Sequence, residues 1–367
     1  MPTTGEASLY FHVPFCTKKC PYCHFYVIPS QPRYHALLAE GFSLEWAMQK
    51  PKLQGYRIAS IYFGGGTPAL YGAQAIGETL SWIDLSNHPE ITVETNPEEA
   101  DFQLFYDLKQ VGVNRISLGV QSLDDRSLQT LGRSHSAKRA QEAIFAAKKA
   151  GIDNISIDLM YDLPDQTPAS WSYTLDQLQS LPITHISLYN LTIEPHTSFY
   201  RNRQTLNLPR PEESLRYLQS ALDKFADLQF KRYEISAFAR HGYESRHNLG
   251  YWTFRPFLGL GPSAFSYWDK SRFQNTPNLQ RYVRALKQGQ SPVHFSETLD
   301  YPADVKEMLA VGLRLVNGVK LPSRLPNETY KAIENLQEQA LLVKTNESVR
   351  LTERGMLFYD SIASEIV

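Results

Sequence analysis

The chain has 367 residues, 42% of them hydrophobic, so it can bury a substantial core without covalent staples, and with three cysteines, an odd number, a disulfide framework is neither needed nor expected. Its formal net charge is -1 with no basic block, which excludes the electrostatic footprint of a general nucleic-acid binder and favours a small-molecule or protein partner. The opening MPTTGEASLYFHVPF lacks a basic segment ahead of an apolar one, and no run of about 18 apolar residues follows, so neither export nor a membrane span is expected and a reducing cytoplasm fits.

In chain order, short apolar runs alternate with helix-like segments: Ser8 to Phe15, Ile58 to Phe63, Glu90 to Thr95, Arg115 to Gln121, Asn154 to Pro164 and His185 to Pro195. This is the pattern of a parallel sheet wrapped by helices. Most runs are apolar at nearly every position, which predicts strands covered on both faces. The units point to a barrel or an incomplete barrel, and a flat doubly wound sheet has the same element order. Glu94, Gln121, Asp158 and Glu194 interrupt or end these runs toward their C-terminal halves, where barrels of this kind gather their chemistry. Taken singly, each could equally cap a strand or begin a loop.

After Pro211 the sequence predicts an amphipathic helix over Ser214 to Leu228 and a seventh run at YEISAF, Tyr233 to Phe238. The segment GYWTFRPFLGLGPSAFSYW is too glycine-rich for ordinary strand or helix. A helix near Leu279 to Gln288 leads into GQSPVHFSETLDYPAD, whose Pro, Gly and Ser content marks a linker. The expected division is therefore residues 1–295, with an extension over 211–295, and residues 296–367. In the second part VKEMLAVGLRLV and ETYKAIENLQEQ read as helices, LLVKTNESVRLT as two short strands around Thr345 and Asn346, and TERGMLFYDSIASEI as a last helix. Together they make a small winged-helix-like lobe without a basic recognition face, so DNA binding is not expected.

All three cysteines lie in FCTKKCPYCHFY, as Cys16, Cys20 and Cys23 of one compact loop after a strand. Such a loop can build a Cys3His zinc site completed by His24 or His12. It can equally hold an iron-sulfur cluster, where three thiolates on four irons leave one iron open to an exchangeable ligand. Three unrelated buried cysteines would not explain their concentration in one loop. The spacing C-x3-C-x2-C resembles the signature of the radical S-adenosylmethionine (radical SAM) family. The resemblance implies an α/β fold built on an incomplete (β/α)6 TIM-like barrel, a [4Fe-4S] cluster on the three cysteines, and SAM on the open iron. Gly64, Gly65, Gly66, Thr67 and Pro68, after IASIYF, resemble the family's glycine motif, in which glycine lets the backbone approach SAM. In isolation a triple glycine after a strand is a strand-to-helix turn. Tyr22 resembles the family's aromatic residue beside the adenine, with loop packing as its ordinary alternative.

Glu94 in ETNPE, Gln121 in LGVQS, Arg133 in LGRSH and Asp158 in IDLMYDLP resemble the SAM-contacting residues of one subgroup, the relatives of oxygen-independent coproporphyrinogen III oxidase. Tyr10, His12 and Pro14 in YFHVPFC match that subgroup too. Arg133 can pair bidentately with a carboxylate, Glu94 and Asp158 can accept from ribose hydroxyls or an ammonium group, and Gln121 can do either.

The subgroup contains an oxidase, which abstracts hydrogen from propionate side chains with a 5'-deoxyadenosyl radical, and haem chaperones, which bind haem and pass it to an acceptor protein. Phe25 stands where the oxidase continues its loop with a fourth cysteine, and Cys16 lies too near the start for the oxidase's leading segment; both favour the chaperone. So does H-N-x-x-Y-W from His247 to Trp252, which is similar to the chaperones' haem-associated motif. His247 is a competent axial ligand, and Tyr251 and Trp252 offer flat apolar surface with a hydrogen-bonding edge. A histidine among aromatics is also ordinary core packing. Phe265 stands where the chaperones often carry a histidine, so His12, His24 and His241 are alternative ligands.

Overall fold

The first apolar run forms β1 (Gly5–Val13) in the computed structural model, which describes residues 5–367. The cysteine loop that follows is closed by a short parallel pair, β2 (Phe15–Cys16) and β3 (Ile28–Pro29). The next runs become β4 (Tyr56–Gly65), β5 (Glu90–Thr95), β6 (Arg115–Gln121), β7 (Asn154–Tyr161) and β8 (His185–Asn190). Strands β1 and β4 to β8 pair in that order, all parallel, and the sheet stays open at its edges. The incomplete barrel expected from the sequence is therefore present.

Its strands differ from expectation in one respect: they alternate. Leu9, Phe11, Ile61, Phe63, Ile91, Val93, Ile116, Leu118, Ile155, Ile157, Ile186 and Leu188 belong to the large apolar core shared with the surrounding helices. The intervening Ser8, Ser60, Thr92, Ser117, Ser156 and Ser187 are polar, yet buried on the hollow side. Only the helix-covered face needs apolar residues, because the period of two turns every other side chain into the barrel.

Downstream, three expectations are corrected. YEISAF is not one strand but the bend of a hairpin, β9 (Lys231–Glu234) and β10 (Ala237–Ala239), with β10 antiparallel to β8. The glycine- and aromatic-rich segment is ordered as a helix, Arg246–Trp252, followed by β11 (Phe257–Leu260), β12 (Phe265–Trp268) and β13 (Ser271–Asn275). Strand β11 runs parallel to β1 on the side away from β4, so residues far apart in sequence complete the barrel's first edge. The expected linker carries β14 (Val293–Thr298), antiparallel to β13, so a boundary between residues 295 and 296 falls inside a strand.

The C-terminal lobe has its own core around Leu309, Leu313, Ile333, Leu336, Val349 and Ile362. Its small sheet is β15 (Val319–Lys320), β16 (Leu342–Lys344) and β17 (Ser348–Leu351), in the order β15-β17-β16, and the predicted last helix is split into Glu353–Met356 and Tyr359–Ile366. The lobe is fastened to the barrel through Arg314. Its guanidinium donates to Glu234 at 3.0 Å, lies 4.3 Å from the Trp252 ring centroid and 5.2 Å from that of Tyr359.

Glu45, in the helix Pro32–Gln49 and 0% exposed, ties the late strands to the early helix. It accepts from Gly261 N at 2.8 Å, Asn275 Nδ2 at 2.7 Å and the Tyr282 hydroxyl at 2.6 Å. Burial pushes its carboxyl up to about 7 against these hydrogen bonds. A carboxyl raised in the folded state binds protons better there than in the unfolded chain. Its contribution is thus intact below the ordinary 4.5 and declines as pH rises toward about 7. Urea unfolding across that window should show wild-type stability falling relative to Glu45→Gln by up to roughly 3 kcal/mol. A difference independent of pH would mean that Glu45 does not titrate there.

Candidate cofactor site

The mouth of the barrel, at the C-terminal ends of the parallel strands, opens into a cavity of about 440 Å³. Cys16, Cys20, Tyr22 and Cys23 from the loop after β1, Gly65 and Gly66 from the end of β4, and Glu94, Gln121 and Asp158 from β5, β6 and β7 all line it, together with Arg133 and Glu194. Residues spread over most of the barrel thus meet in one place, as the sequence predicts.

The backbone of the glycine motif holds the cysteine loop. Gly66 N donates to Val13 O at 2.9 Å and Thr67 N to Phe15 O at 2.6 Å. A Cβ on Gly66 would sit 2.5 Å from the Phe15 carbonyl oxygen, and Gly65 has φ +114, so neither position accommodates a side chain. Thr67 lies behind the cavity wall, with Oγ1 3.7 Å from Cys16 Sγ. That hydroxyl accepts from Asn96 Nδ2 at 2.8 Å, and Asn96 Oδ1 accepts from Arg133 Nη2 at 2.7 Å. Arg133 also donates to Gly119 O at 2.9 Å, and its Nη1 reaches Cys20 Sγ at 3.5 Å and the Tyr22 hydroxyl at 3.4 Å. A continuous hydrogen-bond chain therefore runs from Cys16 through Thr67, Asn96 and Arg133 back to Cys20. Asn96 escaped the sequence reading although it stands two places after Glu94.

Burial pushes the Cys16 thiol up to about 11 and raises Cys23, so both hold their protons until a metal draws them off. Arg133 Nε is buried without a partner among the described residues, which suits a cavity shaped for an anionic group. Among the described residues no group of three His, Cys, Asp or Glu side chains is set to hold a metal ion. The three thiols line one cavity, and together they are a donor set that an iron-sulfur cluster would take.

Deeper in the barrel, Glu94 accepts from the Tyr62 hydroxyl at 2.7 Å and from Gly65 N at 3.1 Å. Burial, with Asp158 adding to it, pushes Glu94 up to about 7, and burial pushes Asp158 up to about 6; the Arg115 guanidinium offsets part of both. Gln121 ends β6 at φ +65, a left-handed conformation uncommon outside glycine and often found where a side chain is aimed at a site. Tyr62 and Arg115 were missed in the sequence, and the signal for them is the inward-facing register.

The remaining candidates lie elsewhere. Tyr10 is stacked on Tyr62 with centroids 6.2 Å apart and its hydroxyl is 3.0 Å from His12 Nδ1, so it sits beneath the cavity and not in its wall. His247 is farther down, at the N-terminal ends of the strands, and 1% exposed. Its Nδ1 is 2.9 Å from Ser60 Oγ and its Nε2 is 2.8 Å from the Tyr251 hydroxyl. The backbone nitrogens of Arg246 and His247 donate to the Glu90 carboxylate at 3.1 and 3.0 Å, and Ser245 caps the helix by accepting from Asn248 N. Burial lowers His247 to about 3, keeping the imidazole neutral. Both nitrogens of His247 are thus engaged inside the barrel floor. Tyr251 is taken up by His247, and Trp252 by Arg314. His12 is likewise engaged through both nitrogens, whereas His24 and His241 are exposed.

Residues 10–178 match the family model of the radical SAM superfamily and residues 299–358 that of the HemN C-terminal domain, the latter starting directly after β14. The chain is 31% identical to "Heme chaperone HemW" of Haemophilus influenzae, over 99% of this chain and 98% of that one. This chain belongs to the HemW family of radical SAM proteins. Another relative is "Radical S-adenosyl methionine domain-containing protein 1, mitochondrial" of Danio rerio, 31% identical over 99% of this chain and 87% of that one. The solved structure of coproporphyrinogen III oxidase (HemN) from Escherichia coli superimposes with a TM-score of 0.86 over 99% of this chain and 90% of that one, at 22% identity, and shows the shared fold. Among the described residues no helix is long and apolar enough to cross a membrane.

Within this fold, His247→Ala should act on stability. It removes a buried ring and strands Ser60 and Tyr251, a loss of about 2–4 kcal/mol. Denaturant unfolding gives that value directly, and a near-neutral result would mean that the barrel floor closes without the imidazole.

Proposed function

We propose that the chain is a haem carrier that delivers haem to an acceptor protein, with a [4Fe-4S] cluster on Cys16, Cys20 and Cys23 and SAM on the open iron. The observation that carries this reading is the likeness to haem chaperones along the whole chain. Phe25 supports it: at the position of the oxidase's extra cysteine, a 53% exposed ring offers apolar surface beside the cavity and no ligand atom. The reading places the protein in a reducing cytoplasm, where thiols stay free for iron.

When bound, the cluster and SAM supply one-electron chemistry of the kind that yields a 5'-deoxyadenosyl radical. The chain's own residues do the holding. Arg133 fixes the cysteine loop and presents positive charge, while Glu94 and Asp158 take hydrogen bonds from an ammonium group or ribose hydroxyls. Tyr22 packs beside the adenine, Gln121 adds an adaptable amide, and the backbone of Gly65 and Gly66 with Thr67 shapes the floor beneath. Tyr10 steadies Tyr62 behind Glu94. Arg314 of the C-terminal lobe joins it to the barrel through Glu234 and Trp252.

The reading is tested on anaerobically reconstituted, reduced protein supplied with SAM, given haem in one sample and coproporphyrinogen III in another. Stoichiometric haem absorption without decarboxylated porphyrin is expected. Turnover of coproporphyrinogen III to protoporphyrinogen IX would make the chain an oxidase instead. In the same preparation Cys20→Ala should lose the cluster's visible absorption and its iron, and retention of both would remove Cys20 from the ligand set.

A further inference from the structure

A single amide stands between two of the three thiols. Asn96, just past the end of β5, accepts from Arg133 Nη2 at 2.7 Å through Oδ1, and its Nδ2 lies 2.8 Å from Thr67 Oγ1. A guanidinium has only donors, so it must meet the amide oxygen, and the amide NH2 is left to face Thr67. Arg133 thus fixes which way the amide of Asn96 points.

The consequence falls on the Thr67 hydroxyl. Its oxygen accepts from the Asn96 amide, and its own proton has one further partner among the described residues, Cys16 Sγ at 3.7 Å. Thr67 is 1% exposed, so bulk water does not compete for that proton. A thiolate can only accept, so once Cys16 is deprotonated the hydroxyl is the donor. At the other end Arg133 Nη1 donates to Cys20 Sγ at 3.5 Å, while Nη2 is held by Asn96 and by Gly119 O at 2.9 Å. Cys23 stands outside this network and is bonded to the backbone of Phe25.

The surroundings make room for the amide. A Cβ on Gly119 would sit 2.9 Å from Asn96 Oδ1 and 3.5 Å from Arg133 Nη2, so a side chain at that place would push the two apart.

We infer that Asn96 is a positioning residue: it aims two donors, the Thr67 hydroxyl and the Arg133 guanidinium, at the Cys16 and Cys20 thiolates and so sets the reduction potential of the cluster they carry. The inference rests on the cluster reading above. Donors to ligand sulfurs offset the charge that reduction adds, which raises the potential. Asn96→Asp keeps the shape and reverses the polarity. A carboxylate accepts from the Thr67 hydroxyl, turning its proton away from Cys16, and its charge offsets that of Arg133.

The test is an anaerobic redox titration followed by electron paramagnetic resonance, on the full-length reconstituted protein without SAM. Wild type, Asn96→Asp, Thr67→Val, Thr67→Ser and the Asn96→Asp/Thr67→Val double variant are compared, with iron content and circular dichroism confirming that each is loaded and folded. Asn96→Asp should shift the one-electron equilibrium about tenfold toward the oxidised cluster, a fall of about 59 mV. Thr67→Val should lower the potential beside Asn96 and add little beside Asn96→Asp, where the hydroxyl no longer faces sulfur; Thr67→Ser should match wild type. An unchanged potential in loaded Asn96→Asp, or a Thr67→Val shift of equal size in both backgrounds, overturns the inference. Should Asn96→Asp not fold or load, a potential that falls in Thr67→Val but not in Thr67→Ser upholds it, and equal potentials in the two overturn it. A wild type that assembles no cluster overturns the cluster reading itself.

Discussion

Most side chains that point into the barrel are buried, and so many are polar that hydrogen bonding inside the hollow decides how the rest of the molecule must be arranged. At the floor the chain satisfies many of these groups itself, with Thr92 Oγ1 and Arg115 Nε left without a partner among the described residues. Ser60 is met by His247, His247 by Tyr251, and Glu90 by the first backbone nitrogens of the helix Arg246–Trp252. His185 joins Ser156 to Tyr233, whose hydroxyl accepts from Ser245 N at the start of that helix. A helix of seven residues is too short to be stable alone, and these contacts hold it in place.

Toward the mouth the balance changes. Glu94 and Asp158 are raised toward neutrality by burial, Arg133 keeps one nitrogen without a partner among the described residues, and burial raises the Cys16 and Cys23 thiols. A polar cavity left partly unsatisfied in this way is suited to a ligand that completes it. The chain from Cys16 through Thr67, Asn96 and Arg133 to Cys20 also couples the loop to β4 and β5, so loss of any member should loosen the thiols that it positions.

The motif from His247 to Trp252 shows why a short pattern constrains structure before it constrains function. Its histidine and tyrosine close the barrel floor, and its tryptophan holds Arg314 of the C-terminal lobe, so one helix connects the barrel to the lobe.

The sequence by itself determined the parallel βα order, the cysteine loop and most of the cavity wall. Those features are local: apolar runs, a three-cysteine spacing, and polar residues at strand ends that a barrel necessarily brings to one mouth. The hairpin at Tyr233 to Phe238, the placing of β11 beside β1 and the strand hidden in the expected linker are pairings between distant segments, which glycine and aromatic content does not reveal. Burial of His247 was equally invisible, because whether an imidazole is a ligand or a strut depends on what faces each of its nitrogens. Only the tertiary structure brings Ser60 and Tyr251 to those two atoms.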